Sequence, residues 1–164
     1  MIRPLNEKDL EQSIKIRRDS LTSYSMSFGA DPKKPIDRAK TFEDLKAKNE
    51  ENFILGFFDN GTLIGTLGFV RYSNPKTRHK AFIWGVFVYP EYWGKKIGSL
   101  LLEECISKAE RIEGLEKIIL GASHISDAAI ALYRKFGFEV YGRERKAMIV
   151  EGEYIDEILY EKYL

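Results

Sequence analysis

The segment Val86-Phe87-Val88-Tyr89-Pro90-Glu91-Tyr92-Trp93-Gly94-Lys95-Lys96-Ile97-Gly98-Ser99 carries the clearest chemical signal in the chain. An apolar, β-prone run enters a glycine-containing turn, and an amphipathic helix opens out of that turn. The first backbone N–H groups of such a helix have no intrahelical acceptor, so they suit an anion such as a pyrophosphate. Gly94 and Gly98 allow close backbone approach, and Lys95 and Lys96 add positive charge at the same place. The same pattern also serves as an ordinary strand–turn–helix connection whose glycines make the turn. Two other phosphate loops are excluded, because neither Gly-x-x-x-x-Gly-Lys-Ser/Thr nor Gly-x-Gly-x-x-Gly occurs.

Few other residues are chemically suggestive. The two histidines are His79 and His124; His124 follows a short apolar run and either faces a cleft or sits in an exposed loop. The single cysteine, Cys105, falls on the apolar face of a helix and reads as core, not as a nucleophile. A lone cysteine makes no intrachain disulfide, which points to a reducing, cytoplasmic setting. No metal-ligand spacing is present, so no metal is expected.

Several elements must position that segment. Met1 to Leu5 alternates like an edge strand, and Asn6 is placed to cap a helix over Glu7 to Ser20 through Leu10 and Ile14. A loop with Gly29, Pro32 and Pro35 runs from Thr22 to Pro35, and a second helix covers Asp37 to Lys48. Strands at Phe53 to Phe58 and Thr62 to Tyr72 flank Asn60-Gly61, a strong hairpin turn because both residues tolerate positive φ. A third long strand spans Lys80 to Val88. Ile97, Leu101, Leu102, Cys105, Ala109 and Ile112 define a helix expected to end near Gly114. Lys117 to Ala122 is a buried strand, Asp127 to Phe136 a helix stopped by Gly137, and Phe138 to Val150 with Tyr154 to Tyr163 a closing hairpin. This order, antiparallel strands and then a β-α-β unit, predicts a mixed α/β (α+β) domain around one sheet. The length of 164 residues suits a single domain, 1–164.

Composition narrows the function. Hydrophobic residues make up 44% and charged residues 31%, the balance of a soluble globular protein. The net charge of +1 carries no basic excess for nucleic acid. No apolar run reaches the length of a membrane span, and the charged stretch Asn6 to Asp9 is unlike a signal peptide.

The run Val88 to Leu101 resembles motif A of the GNAT superfamily of N-acetyltransferases, in which an Arg/Gln-x-x-Gly-x-Gly/Ala loop after the fourth strand binds the coenzyme A pyrophosphate through backbone amides. Trp93 stands where that family usually has Arg or Gln, and Lys96 where it often has the first Gly. Backbone donors survive such changes, although a positive φ at Lys96 would be strained. Ser126-Asp127-Ala128-Ala129-Ile130-Ala131-Leu132-Tyr133-Arg134-Lys135-Phe136-Gly137-Phe138 is similar to motif B of the same family, with Ser126 in place of the usual Asn. A serine there still offers a hydroxyl hydrogen bond.

The resemblance implies a mostly antiparallel sheet flanked by helices, whose fourth strand (Phe82 to Val88, β4) and fifth strand (Lys117 to Ala122, β5) splay apart around the pantetheine. It implies acetyl-CoA as cosubstrate, held by Phe87, Val88, Trp93, Gly94, Lys95, Lys96, Ile97, Gly98, Ser99, Ser126 and Tyr133. The backbone of Phe87 and Val88 would lie beside the pantetheine, and an N–H of that stretch would stabilise the oxyanion. Tyr133 matches the tyrosine that often protonates the departing thiolate, the alternative being a half-buried helix aromatic. Gly85, mid-strand, marks either a bulge and close backbone approach or a packing glycine. No glutamate lies in β4 to serve as base.

The expected reaction is direct transfer of an acetyl group, in a ternary complex, to the primary amine of a small molecule. Alternatives are a protein or peptide N-acetyltransferase, a non-catalytic acyl-CoA-binding regulator and, more distantly, a nucleotide-binding domain. A homodimer is compatible with the pattern. The acceptor side is expected from the Thr22 to Pro35 loop, the second helix and the last hairpin. Tyr24, Phe28, Trp84 and Tyr154 are aromatic candidates there, and Asp31, Glu151, Glu153 and Asp156 acidic ones.

Overall fold

A computed structural model describes residues 1–164 apart from 25, 26 and 28. Phe28, one of the aromatic candidates, therefore lies outside the described residues. Among the described residues the strands are β1 (Ile2–Pro4), β2 (Asn52–Asp59), β3 (Thr62–Arg71), β4 (Lys80–Val88), β5 (Lys117–Ser123), β6 (Glu139–Val150) and β7 (Glu153–Tyr163). They form one sheet in the order β1-β2-β3-β4-β5-β7-β6, antiparallel throughout except for β4 with β5. The helices are α1 (Leu10–Ser23), α2 (Arg38–Lys46), α3 (Ile97–Ala109) and α4 (Asp127–Lys135). This is the mixed α/β domain that the sequence pattern predicts, with the mostly antiparallel sheet flanked by helices that the resemblance implies.

Alternation along the strands builds two cores, one on each face. Leu55, Leu67, Phe69, Ile83, Ile118 and Leu120 point to one face, where Leu101, Leu102 and Cys105 of α3 cover them. Ile54, Leu63 and Phe87 point to the other, against Leu10, Ile14 and Ile16 of α1 and Leu45 of α2. Cys105 is fully buried and its thiol pKa is pushed up by desolvation, as befits a core side chain.

Local chemistry sets most boundaries. Asn60 and Gly61 both have positive φ, at 46° and 81°, and close the β2–β3 hairpin. Asn6 and Asp9 form a reciprocal capping box, but it opens a short 3₁₀ turn (Glu7–Asp9), so α1 starts three residues later than expected and runs on to Ser23. The expected end of α3 near Gly114 is corrected to Ala109. Arg111 N and Ile112 N bond back three residues, to Lys108 O and Ala109 O, so the last part of the periodic run is a chain of turns.

The feature that matters for function is a parting of strands. β4 and β5 pair only where Lys80, Ala81 and Phe82 meet Lys117, Ile118 and Ile119. Beyond that point β5 stays joined to β7 as far as Ser123–Glu157. β4 stays joined to β3 but bulges: Trp84 faces Gly68 and Phe87 faces Thr66, leaving Gly85 and Val86 opposite Leu67 alone. Gly85 has φ of 60°, which identifies a glycine bulge, the first of the two readings of this residue. The bulge bends β4 away from β5, and the expected splay is present.

Candidate active site

A cleft of about 1000 Å³ follows the gap between the parted strands. Ten of the eleven residues expected at a coenzyme A site line it: Phe87, Val88, Trp93, Gly94, Lys96, Ile97, Gly98, Ser99, Ser126 and Tyr133. Lys95 is the exception, its ammonium lying 4.8 Å from the centre of the Tyr92 ring.

The turn into α3 has two left-handed residues, Gly94 (φ 78°) and Lys96 (φ 61°). Glycine adopts that conformation freely, whereas a lysine there costs about 1 kcal/mol. No side chain among the described residues caps α3, and its first intrahelical bond runs from Leu100 N to Lys96 O, 3.0 Å. The N–H groups of Ile97, Gly98 and Ser99 thus precede the helical ladder at the cleft wall, where the macrodipole adds to their pull on an anion. Gly98 has a second role: a Cβ there would stand 3.3 Å from Leu132 Cδ2, so its small size lets α3 and α4 approach closely. Trp93 is 59% exposed, and its indole N–H donates to Val88 O at 2.8 Å, fastening the turn to the end of β4.

Strand pairing decides which backbone groups face the gap. Tyr89 N donates to Ile64 O, so the Gly65–Val88 pair is of the non-hydrogen-bonded type and Val88 turns its own N–H and C=O away from β3. Phe87, one residue earlier, turns its backbone toward β3. Of the two residues expected to present backbone to the pantetheine, Val88 turns its backbone to the gap and Phe87 contributes a buried ring. Across the gap, Ser123 Oγ lines the cleft and is buried with no hydrogen-bond partner among the described residues. A buried, orphaned hydroxyl is costly unless a ligand or water answers it. Together with the open α3 amides, it fits an elongated ligand with a pyrophosphate at one end and amide groups along its length.

Tyr133 projects from α4, 5% exposed, with its ring 5.9 Å from that of Phe138 and 6.0 Å from that of Tyr160. Its position is set by the helix end. Phe138 N bonds Tyr133 O and Gly137 N bonds Arg134 O, with Gly137 at φ 77°, a Schellman motif. The spacing Tyr-x-x-x-Gly-Phe is thus a capping device that also seats the tyrosine. Burial pushes its phenol pKa well up, so the group stays protonated and can donate.

The expected acceptor side faces α1. Tyr24 and Trp84 line the cleft, Tyr24 packing 5.6 Å from Phe87 and 5.9 Å from Trp93 between ring centres. Ser27 Oγ bonds Ser126 Oγ at 3.0 Å, bringing the loop after α1 onto the start of α4. Ser126 does not cap α4 with its side chain. Of the acidic candidates, Glu151 lines the cleft; Asp156 instead bonds Arg143 and Lys146 N, which hold its carboxyl below the usual range. Asp31 Oδ1 accepts from Lys33 N, while Glu153 and Tyr154 are exposed at the tip of the last hairpin. His124 is half-buried with Nδ1 accepting from Asp156 N, so it is tied to β7 and is neither a loose loop residue nor a cleft group.

Sequence reasoning missed Glu157. Ile158 and Tyr160 pack into the α3–α4 core, so Glu157 points to the opposite face, the one α1 covers. Its carboxylate lies over Gly121, where any Cβ would collide with it, and Gly121 lines the cleft. Burial, and then the neighbouring Glu144, push its pKa above the usual glutamate range. Only the fold brings a carboxylate from β7 to the β5 edge of the gap, although alternation in Tyr154 to Tyr163 was a usable clue. Among the described residues no group of three metal-ligating side chains occurs, and no helix is long and apolar enough to cross a membrane.

Comparison with known proteins agrees with this geometry. The family model described as Acetyltransferase (GNAT) family matches residues 15–138. A spermidine N(1)-acetyltransferase of Thermoplasma acidophilum is 27% identical over 161 residues, covering 93% of this chain and 96% of the relative. The L-amino acid N-acetyltransferase AaaT of Escherichia coli is 28% identical over 97 residues, and the match spans 59% of each chain. A GNAT-family acetyltransferase structure from Streptococcus pneumoniae superposes with a TM-score of 0.90 at 26% identity, covering 100% of this chain and 99% of the other. The structure of yncA from Salmonella typhimurium, solved with its cofactor acetyl-CoA, gives 0.88 at 22% identity, with 100% and 93% coverage.

Proposed function

The chain belongs to the acetyltransferase (GNAT) family, and from that premise we propose that it transfers an acetyl group from acetyl-CoA to the primary amine of a small molecule, by direct attack within a ternary complex. The observation that carries this reading is the gap between β4 and β5, with helix amides on one side and a half-buried carboxylate on the other.

Acetyl-CoA supplies an activated acyl group as a thioester. The amides of Ile97, Gly98 and Ser99 hold its pyrophosphate. Val88 N–H lies on the gap side of β4, where negative charge develops during attack, and serves as the oxyanion donor. An alkylamine is protonated near neutral pH and must lose that proton to attack. Glu157, with its pKa raised toward the working range, accepts the proton directly or through one water. Tyr133 gives its phenolic proton to the departing sulfur and is held in the protonated form until then.

A small acceptor fits better than a protein chain. Ser23, Tyr24 and Ser27 line the cleft on that side, and the bond between the Ser27 and Ser126 hydroxyls links the segment after α1 to the start of α4. The test is turnover of acetyl-CoA with a panel of small primary amines and, in parallel, with peptide N-termini and lysine peptides. Faster acetylation of small amines is expected. Preference for peptides would transfer the reading to the protein class, and binding of acetyl-CoA without transfer to any amine would make the chain an acyl-CoA-binding regulator.

A further inference from the structure

Beyond Phe82, β4 has lost β5 as a neighbour, and it bulges at Gly85 shortly before it reaches Val88. A strand end paired on one side only is loosely held, yet a group that stabilises an oxyanion must stand in one place. The residue after Val88 supplies the missing hold. Tyr89 N donates to Ile64 O at 3.1 Å, and the Tyr89 phenol donates to Asp19 Oδ2 of α1 at 2.6 Å. Lys15, one turn earlier on α1, donates to the same carboxylate oxygen at 2.7 Å and to the Tyr89 oxygen at 3.2 Å. We propose that Asp19 and Tyr89 are positioning residues, which fasten the end of β4 to α1 and so aim the Val88 N–H at the thioester oxygen. The inference rests on the oxyanion role given to Val88 above and adds what holds that group in place.

Three observations support it. The first is alternation. Phe87 and Tyr89, on either side of Val88, both pack into the α1 layer, with their rings edge to face and 5.2 Å apart between centres. Fixing both neighbours limits how far Val88 can rotate about the strand. The second is the peptide that follows Val88. Its oxygen accepts from the Trp93 indole at 2.8 Å and its N–H is the Tyr89 donor to Ile64, so that plane is held at both ends. The Asp19–Tyr89 bond ties the same plane to α1. The third is the strength and sense of that bond. It is short, and its acceptor is a carboxylate, which makes it stronger than a neutral bond. Lys15 and then Tyr89 hold the Asp19 carboxyl below its ordinary range, while burial and then Asp19 push the Tyr89 phenol up. The proton therefore stays on Tyr89. Asp19, Tyr89 and Lys15 do not line the cleft, so they act through Val88 and not on a substrate.

The experiment compares wild type with Tyr89→Phe, Asp19→Asn and the double variant. Tyr89→Phe keeps the ring and its packing and removes only the bond, so it stands in if Asp19→Asn fails to fold. Two readouts are taken: steady-state kinetics with the best small amine, and isotope-edited infrared spectra of acetyl-CoA labelled at its carbonyl and bound to each protein. In wild type the bound carbonyl band is expected below its position in free acetyl-CoA, because a hydrogen bond to the oxygen polarises it. Each single variant should return the band part of the way and lower kcat by about 10-fold, with acetyl-CoA affinity and the amine KM within about twofold. The double variant should be no worse than either single one, since all three delete the same bond. Variants that melt earlier but keep the wild-type band and kcat would make the pair a fastening of the fold alone and overturn the inference, as would losses that multiply in the double variant. A wild-type band that does not move on binding would remove the oxyanion role of Val88, and this inference with it.

Discussion

On the proposed function, the two sides of the cleft would recognise their ligands in different ways. The coenzyme side is mainly backbone: amides at the start of α3 and the N–H of Val88. The proposed acceptor side is made of side chains that arrive from separate segments: Tyr24 from the end of α1, Trp84 from β4 and Glu157 from β7. Every residue but proline supplies a backbone N–H. On the proposed reading the coenzyme side would therefore accept Trp93 and Lys96 where the family pattern has other residues, provided the turn keeps its shape. The acceptor side has no such tolerance, since each of its groups is one particular side chain at one place.

That contrast predicts how the sides fail. Glu157→Gln should have the largest effect, lowering kcat for an alkylamine by about 100- to 1,000-fold. An acceptor that is already neutral at assay pH, such as hydroxylamine, should lose much less; an equal loss on both would show a structural role. The wild-type kcat/KM should fall on the acid side with a limb above the usual glutamate range, because the base works deprotonated and its pKa is raised. The sign for stability is opposite. A raised pKa in the folded state means folding favours the protonated form, so the ionised carboxylate weakens the fold as pH climbs through that interval. The same variant should therefore melt at a higher temperature than wild type at neutral pH.

Gly98→Pro comes next. Proline is tolerated in the first turn of a helix but removes one N–H, so coenzyme A affinity should drop by about 100-fold, the worth of one hydrogen bond to a charged group. Circular dichroism should show α3 retained, and unchanged affinity would break the assignment of the backbone as the binding element. Tyr133→Phe should lower kcat by about 10- to 100-fold with coenzyme A affinity nearly constant, because it deletes a proton donor without altering the packing against Phe138 and Tyr160. Full activity in that variant would make Tyr133 purely a core residue.

The smallest effect is the sharpest test of the contrast. Lys96→Gly relieves a left-handed lysine and should stabilise the protein by about 1 kcal/mol, offset in part by the greater freedom of glycine in the unfolded chain. Thermal unfolding would show the gain. Coenzyme A affinity should change by less than about threefold, since the amides stay where they were. A large loss would mean that the lysine charge, not the backbone, holds the pyrophosphate.

What could be read from the chain alone was short-range. Apolar spacing located the strands and helices. Asn60-Gly61 specified a hairpin turn, and Gly137 with Phe138 specified the end of α4, because these outcomes depend on φ preferences and contacts within a few residues. The proposed coenzyme side shared that property, as one continuous segment that makes its own turn, and so its place on the cleft was legible despite Trp93 and Lys96. Even there the chain did not say which residue of Phe87 and Val88 presents its backbone, since that depends on how β4 registers with β3. The parting of β4 from β5 and the carboxylate of Glu157 over Gly121 join residues far apart in sequence. Tertiary packing alone decided them, because burial and the meeting of distant side chains are properties of the closed sheet and its covering helices, not of any local run of residues.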